Sequence, residues 1–140
     1  MIDIGNPYRK TALLDAFEKV NNAVTTYFDG LSDTDFFMQP EDAWSPLENM
    51  QHLVLSVQPV AKAIKMPKSV LGMMFGRSQT PSRHYIQLKE IYLDKLVKGA
   101  TATSRYIPKD NGKKTPPEVQ RTKVMEDWRK AAGQLSACLL

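Results

Sequence analysis

Apolar residues recur along this sequence at steps of three and four, a period that suits helices and little else. Leu13, Phe17, Val20, Val24, Tyr27 and Leu31 trace a first helix, opened by Asn6 as N-cap with Pro7 in the first turn and closed at Gly30. The sharpest local signal is Trp44-Ser45-Pro46-Leu47-Glu48: Ser45 caps, Pro46 fits the first turn and Glu48 completes an S-x-x-E capping box. The second helix that starts there carries a broad stripe through Leu47, Met50, Leu53, Val54, Val57, Val60, Ala61 and Ile64, and Pro59 within it predicts a kink. Between these helices Phe36, Phe37 and Met38 are expected to tuck back onto the core, with room for one short helical turn.

Pro67, Gly72, Gly76 and Pro81 punctuate the next stretch and predict a short helical element around Val70 to Phe75, then a loop. Thr80-Pro81 predicts a further helix carrying Ile86, Leu88, Ile91, Tyr92, Leu96 and Val97 as far as Gly99. Residues 99–114 form a basic, turn-rich linker with Pro108 and Asn111-Gly112, and nothing in it resembles a phosphate-cradling loop. Thr115-Pro116-Pro117-Glu118 repeats the capping-box pattern, and Met125, Trp128, Ala132, Leu135 and Leu139 then mark a bundle seam. The helix reaches Leu140 without a glycine, proline or basic stop signal, which reads as a chain truncated before its last helix. No strand pattern and no internal repeat competes with an all-α reading.

At 140 residues the chain, 1–140, has the length of a single domain. With 42% hydrophobic and 24% charged residues it sits among folding globular sequences. Its apolar runs are too short to span a bilayer, its start lacks a signal-peptide pattern, and one cysteine, Cys138, excludes an internal disulfide framework. These features point to the cytoplasm and away from membranes. Residues 1–60 carry three basic and nine acidic side chains, net −6, whereas residues 61–140 carry sixteen basic and six acidic, net +10. That polarity suits two halves of a bundle attracting one another better than a nucleic-acid face, because few aromatic stacking platforms sit among the scattered basic residues.

Candidate chemistry is sparse. His52 lies roughly 140° round its helix from the centre of the apolar stripe at about 100° per residue, so it faces solvent or a cleft rather than the core. Zinc and its relatives take three or four ligands, and spacing alone leaves His52 an unaccompanied imidazole. His84 has no histidine, cysteine or carboxylate at helical spacing and reads as a surface residue. Glu41 and Asp42 precede a helix start, where acidic residues usually serve electrostatics. Cys138 lacks a CxxC partner or local base and reads as a small hydrophobe, and the seven methionines read as gap-fillers.

The block Trp44-Ser45-Pro46-Leu47-Glu48-Asn49-Met50-Gln51-His52-Leu53 resembles the start of the second helix in the DinB-like superfamily, whose pattern there is W-S-x-x-E-x-x-x-H-L. Phe75-Gly76-Arg77, Pro81-Ser82-Arg83, Tyr85, Tyr92, Lys95-Leu96 and the stretch from Gly99 to Pro108 are similar to one branch of that superfamily, so the resemblance covers the chain from about residue 8 onward. It implies an up-down four-helix bundle with a divalent metal, zinc or nickel, held by one histidine of the second helix and two from an H-x-x-x-H in the last. Only His52 matches, and no H-x-x-x-H occurs here. The implied protein is therefore a bundle incomplete at its C-terminus, with a short extra helical element between helices two and three and no complete metal site in this chain. Known members are thiol-dependent transferases, isomerases or related metal-dependent enzymes on small molecules, whose metal lowers the pKa of a thiol or of water. Frequent dimers in the family imply a homodimer, packing helix against helix over a groove left by the missing helix.

Two rivals belong to other classes. A non-catalytic helical interaction module would recruit a partner over the Met125, Trp128 and Leu135 seam and bind no metal. Nucleic-acid binding would use Lys109, Lys113, Lys114, Arg121 and Lys123, with a steep salt dependence.

Overall fold

The computed structural model describes residues 2–109 and 115–140. Among them are six α-helices and one 3-10 turn, in the order α1 (Lys10–Asp29), α2 (Asp33–Phe37), α3 (Pro46–Ile64), α4 (Lys68–Phe75), α5 (Tyr85–Val97), the turn Ser104–Tyr106, and α6 (Pro117–Leu139). The chain is all-helical, with no strand among the described residues. Asn111, Gly112, Lys113 and Lys114 lie outside them.

The second-helix start forms as its sequence predicts. Ser45 Oγ accepts from the Glu48 amide at 3.2 Å, and Glu48 Oε2 accepts from the Ser45 amide at 2.8 Å. Two otherwise orphaned helix-end donors are thereby satisfied, an arrangement worth about 1 kcal/mol. The helix then runs unbroken through Pro59. Ser32 caps α2 in the same way, accepting from the Asp35 amide at 3.1 Å. Gly76, at φ +75°, closes α4 in a conformation that side chains other than glycine rarely adopt.

Three other helix starts are displaced from their sequence signals. Helix α1 begins at Lys10 rather than after Asn6, because Pro7 is buried and Tyr8 stacks on His84 with ring centroids 4.5 Å apart, so tertiary contacts hold that segment extended. Helix α5 begins at Tyr85, four residues past Pro81; the Ser78 hydroxyl first closes a turn onto the Thr80 carbonyl at 2.8 Å, and Gln87 Oε1 then accepts from the His84 amide at 3.2 Å. Helix α6 is capped at Pro116 instead of Thr115, which moves Glu118 one place too early for a capping box; the Thr115 carbonyl accepts from Gln120 Nε2 at 2.6 Å.

The principal interface joins α3 to α6, with α1 against α6 and α2 wedged onto both α3 and α6. Its core consists of Phe28, Phe36, Met50, Val54, Val124, Met125, Trp128 and Ala132. Ala131 and Ala132, with no exposed surface, let α6 approach its neighbours closely. On α1 the buried residues are Ala16 and Phe28, while the expected Leu13 and Tyr27 are exposed. Phe17, Val24 and Leu31 of the expected stripe do pack against the core, and Phe28 meets Phe36 edge to face at 6.2 Å between centroids. Phe36 is fully buried as expected, and Met38 points outward.

Helix α5 departs most from expectation, since it contributes no buried residue. Ile86, Leu88, Ile91, Tyr92, Leu93, Leu96 and Val97 are all exposed, joined by Met73, Met74 and Phe75 of α4. The apolar side chains of α5 occupy most of its circumference rather than one stripe, so no single face docks it on the core. The compact unit is therefore α1, α2, α3 and α6, and neither α4 nor α5 adds a buried residue to it.

Candidate functional site

His52 projects from the side of α3 away from the core, and two segments cover it there. Trp44, just before the Ser45 cap, lays its indole against the imidazole with centroids 5.0 Å apart at 51°. The 3-10 turn crosses the other edge, placing the Tyr106 carbonyl 2.7 Å from His52 Nδ1. A carbonyl only accepts, so Nδ1 carries the hydrogen and the neutral ring keeps its lone pair on Nε2. This is the arrangement in which a second hydrogen bond orients a metal-ligating histidine. Glu48, one turn earlier on the same side, is engaged by the Ser45 cap. Ser56, one turn later, donates to the His52 carbonyl at 2.8 Å. The ring is thus half-buried and fixed in orientation, on the side of the helix that its position had left open to solvent or a cleft.

The other candidates do not converge on it. His84 is exposed and stacked on Tyr8; Glu41 and Asp42 are exposed in the turn before Trp44. The half-buried Cys138 thiol donates to the Gln134 carbonyl of its own helix at 2.9 Å. Among the described residues no group of three or more histidine, cysteine, aspartate or glutamate side chains stands where it could hold a metal ion. His52 fits the part of a single ligand, and these residues do not complete a coordination shell around it.

Two of the basic residues that nucleic-acid binding would use have structural partners. Arg121 binds Asp33 at 2.6 Å and the carbonyls of Phe28, Asp29 and Leu31 at 3.1, 3.1 and 2.8 Å. Lys123 pairs with Asp127 at 2.9 Å; that hydrogen bond and the carboxylate charge raise its pKa above the ordinary lysine value. Of the Met125, Trp128 and Leu135 seam offered to a partner, Met125 and Trp128 are buried inside the chain against its own helices and Leu135 is half-buried. Among the described residues no helix is long and apolar enough to cross a membrane. Comparison with protein-family models, curated proteins and solved structures found no match.

Proposed function

We propose that this chain is part of a DinB-like protein that binds a divalent metal, zinc or nickel, with His52 as one ligand, and that performs thiol-dependent transfer or related chemistry on a small molecule. The observation that carries the proposal is the Tyr106 carbonyl on His52 Nδ1, with Trp44 against the ring, which leaves Nε2 as a fixed acceptor. The other ligands come from polypeptide outside the described residues. The class of reaction rests on the W-S-P-x-E-x-x-x-H resemblance alone. Metal analysis of the intact protein tests the ligand: His52→Ala is expected to abolish bound zinc and nickel while leaving the helical circular dichroism signal in place. Unchanged metal stoichiometry in that variant would remove His52 from the site and the proposal with it.

A second reading is favoured by the exposed apolar residues of α4 and α5, among them Met73, Phe75, Tyr92 and Val97. In it the chain is a non-enzymatic helical module that pairs with a second copy of itself, the acidic first half of one copy beside the basic second half of the other. Light scattering at micromolar concentration is expected to give twice the chain mass, falling toward one chain on Tyr92→Glu with Val97→Glu. A monomer throughout the micromolar range contradicts pairing.

A further inference from the structure

A concavity lies on the flank of α3 between the core stripe and His52, bounded by α6 and by the segment from Arg105 to Lys109. Its volume is about 530 Å³, inside the range of small-molecule sites. The floor is apolar: Val54 and Val124 are buried, and Leu55 and Pro108 complete it. Gln51 and Gln58 of α3 also line it, and the exposed Arg105 and Lys109 of the covering segment stand at its mouth.

The charges at this mouth differ in their commitments. Lys123 and Asp127 neutralise each other across one turn of α6. Arg105 and Lys109 make no ion pair and no side-chain hydrogen bond with any other described residue. Among the described residues the cleft therefore carries two positive charges without an ion-pair partner above an apolar floor. Guanidinium and ammonium groups there pair with carboxylate or phosphate oxygens, and the floor takes hydrocarbon from water.

We infer that this cleft binds a small amphipathic anion, an acyl or aryl body ending in a carboxylate or phosphate, with the anionic end at Arg105 and Lys109. The inference is independent of the metal assignment, since His52 does not line the cleft. Because Tyr106, the residue hydrogen-bonded to His52, lies between Arg105 and the remainder of the covering segment, a ligand here would sit beside the candidate metal ligand.

Titration calorimetry with octanoate, octyl phosphate and octyltrimethylammonium tests the charge preference, since the three share one apolar chain. One or both anions are expected to bind at least about tenfold more tightly than the cation, and which anion binds better distinguishes carboxylate from phosphate. The double variant Arg105→Gln, Lys109→Gln is expected to lose that preference with an unchanged melting temperature, because both side chains are exposed. Leu55→Trp, which fills the floor, is expected to remove binding of all three. Equal affinity for anions and cation, no binding of either anion at millimolar concentration, or anion binding that survives both variants would each overturn the inference.

Discussion

Replacing Trp128 with alanine is expected to lower the unfolding free energy by about 3–5 kcal/mol, the largest effect of any single truncation in this chain. Trp128 is 2% exposed at the centre of the core formed by Phe28, Phe36, Met50 and Val124. Its indole Nε1–H donates to Thr25 Oγ1 of α1 at 3.2 Å, so the variant loses both the ring's packing and one link between α6 and α1. A domain of this size has roughly 5–15 kcal/mol in total. The melting temperature should therefore fall by about 10–20 °C. Trp128→Phe separates the terms, since it keeps most of the apolar volume, loses the hydrogen bond and should recover more than half of the stability. Thermal melts of the two variants check this, and a Trp128→Ala protein within about 1 kcal/mol of the parent would contradict the packing described here.

Arg121→Met should cost about 2–3 kcal/mol, an unusual figure for a residue near the surface. The reason lies in what its guanidinium touches. Helix α1 ends at Asp29, and the carbonyls of Phe28, Asp29 and Leu31, which have no further helical donors to meet them, all accept from Arg121 Nη2. The same group lies 4.8 Å from the centre of the Phe36 ring and binds Asp33, so one side chain joins the end of α1, helix α2 and helix α6. Lysine has no planar fork, and Arg121→Lys should recover little of the loss. The Asp33 side chain is 74% exposed, so Asp33→Asn should cost less than about 1 kcal/mol. Urea denaturation of the three variants distinguishes the two origins: if Asp33→Asn costs as much as Arg121→Met, the ion pair rather than carbonyl capping is the dominant contact.

Local chemistry makes several elements legible in the sequence itself. The Ser45 and Glu48 box involves residues three apart and needs nothing distant, so it forms as read. The same holds for Gly30 and Gly76 as helix stops. Starts that failed were overruled by tertiary contact or by a one-residue shift: Pro7 is drawn into the protein, and the cap at Pro116 displaces Glu118 from its expected role. Arg121, named from the sequence only as a residue that nucleic-acid binding would use, shows how little a charge in sequence says about its partners. Its acceptors lie about ninety residues away, on backbone carbonyls that carry no sequence signature.

For the candidate site the division is equally physical. The histidine was visible as the next-to-last residue of a spaced block, and helical periodicity placed it away from the core stripe. The covering of that side by residues 104–106, and the hydrogen bond from Nδ1 to the Tyr106 carbonyl, join positions 54 residues apart and left no trace in either segment. The cleft lined by Arg105 and Lys109 was equally illegible, because a concavity belongs to the arrangement of helices and not to any one of them. Short-range hydrogen bonding and the 3.6-residue period determined from sequence that the chain is helical and where its best-capped helix begins. Long-range packing alone decided which helices share the core, which apolar side chains stay exposed on α4 and α5, and what lies against His52.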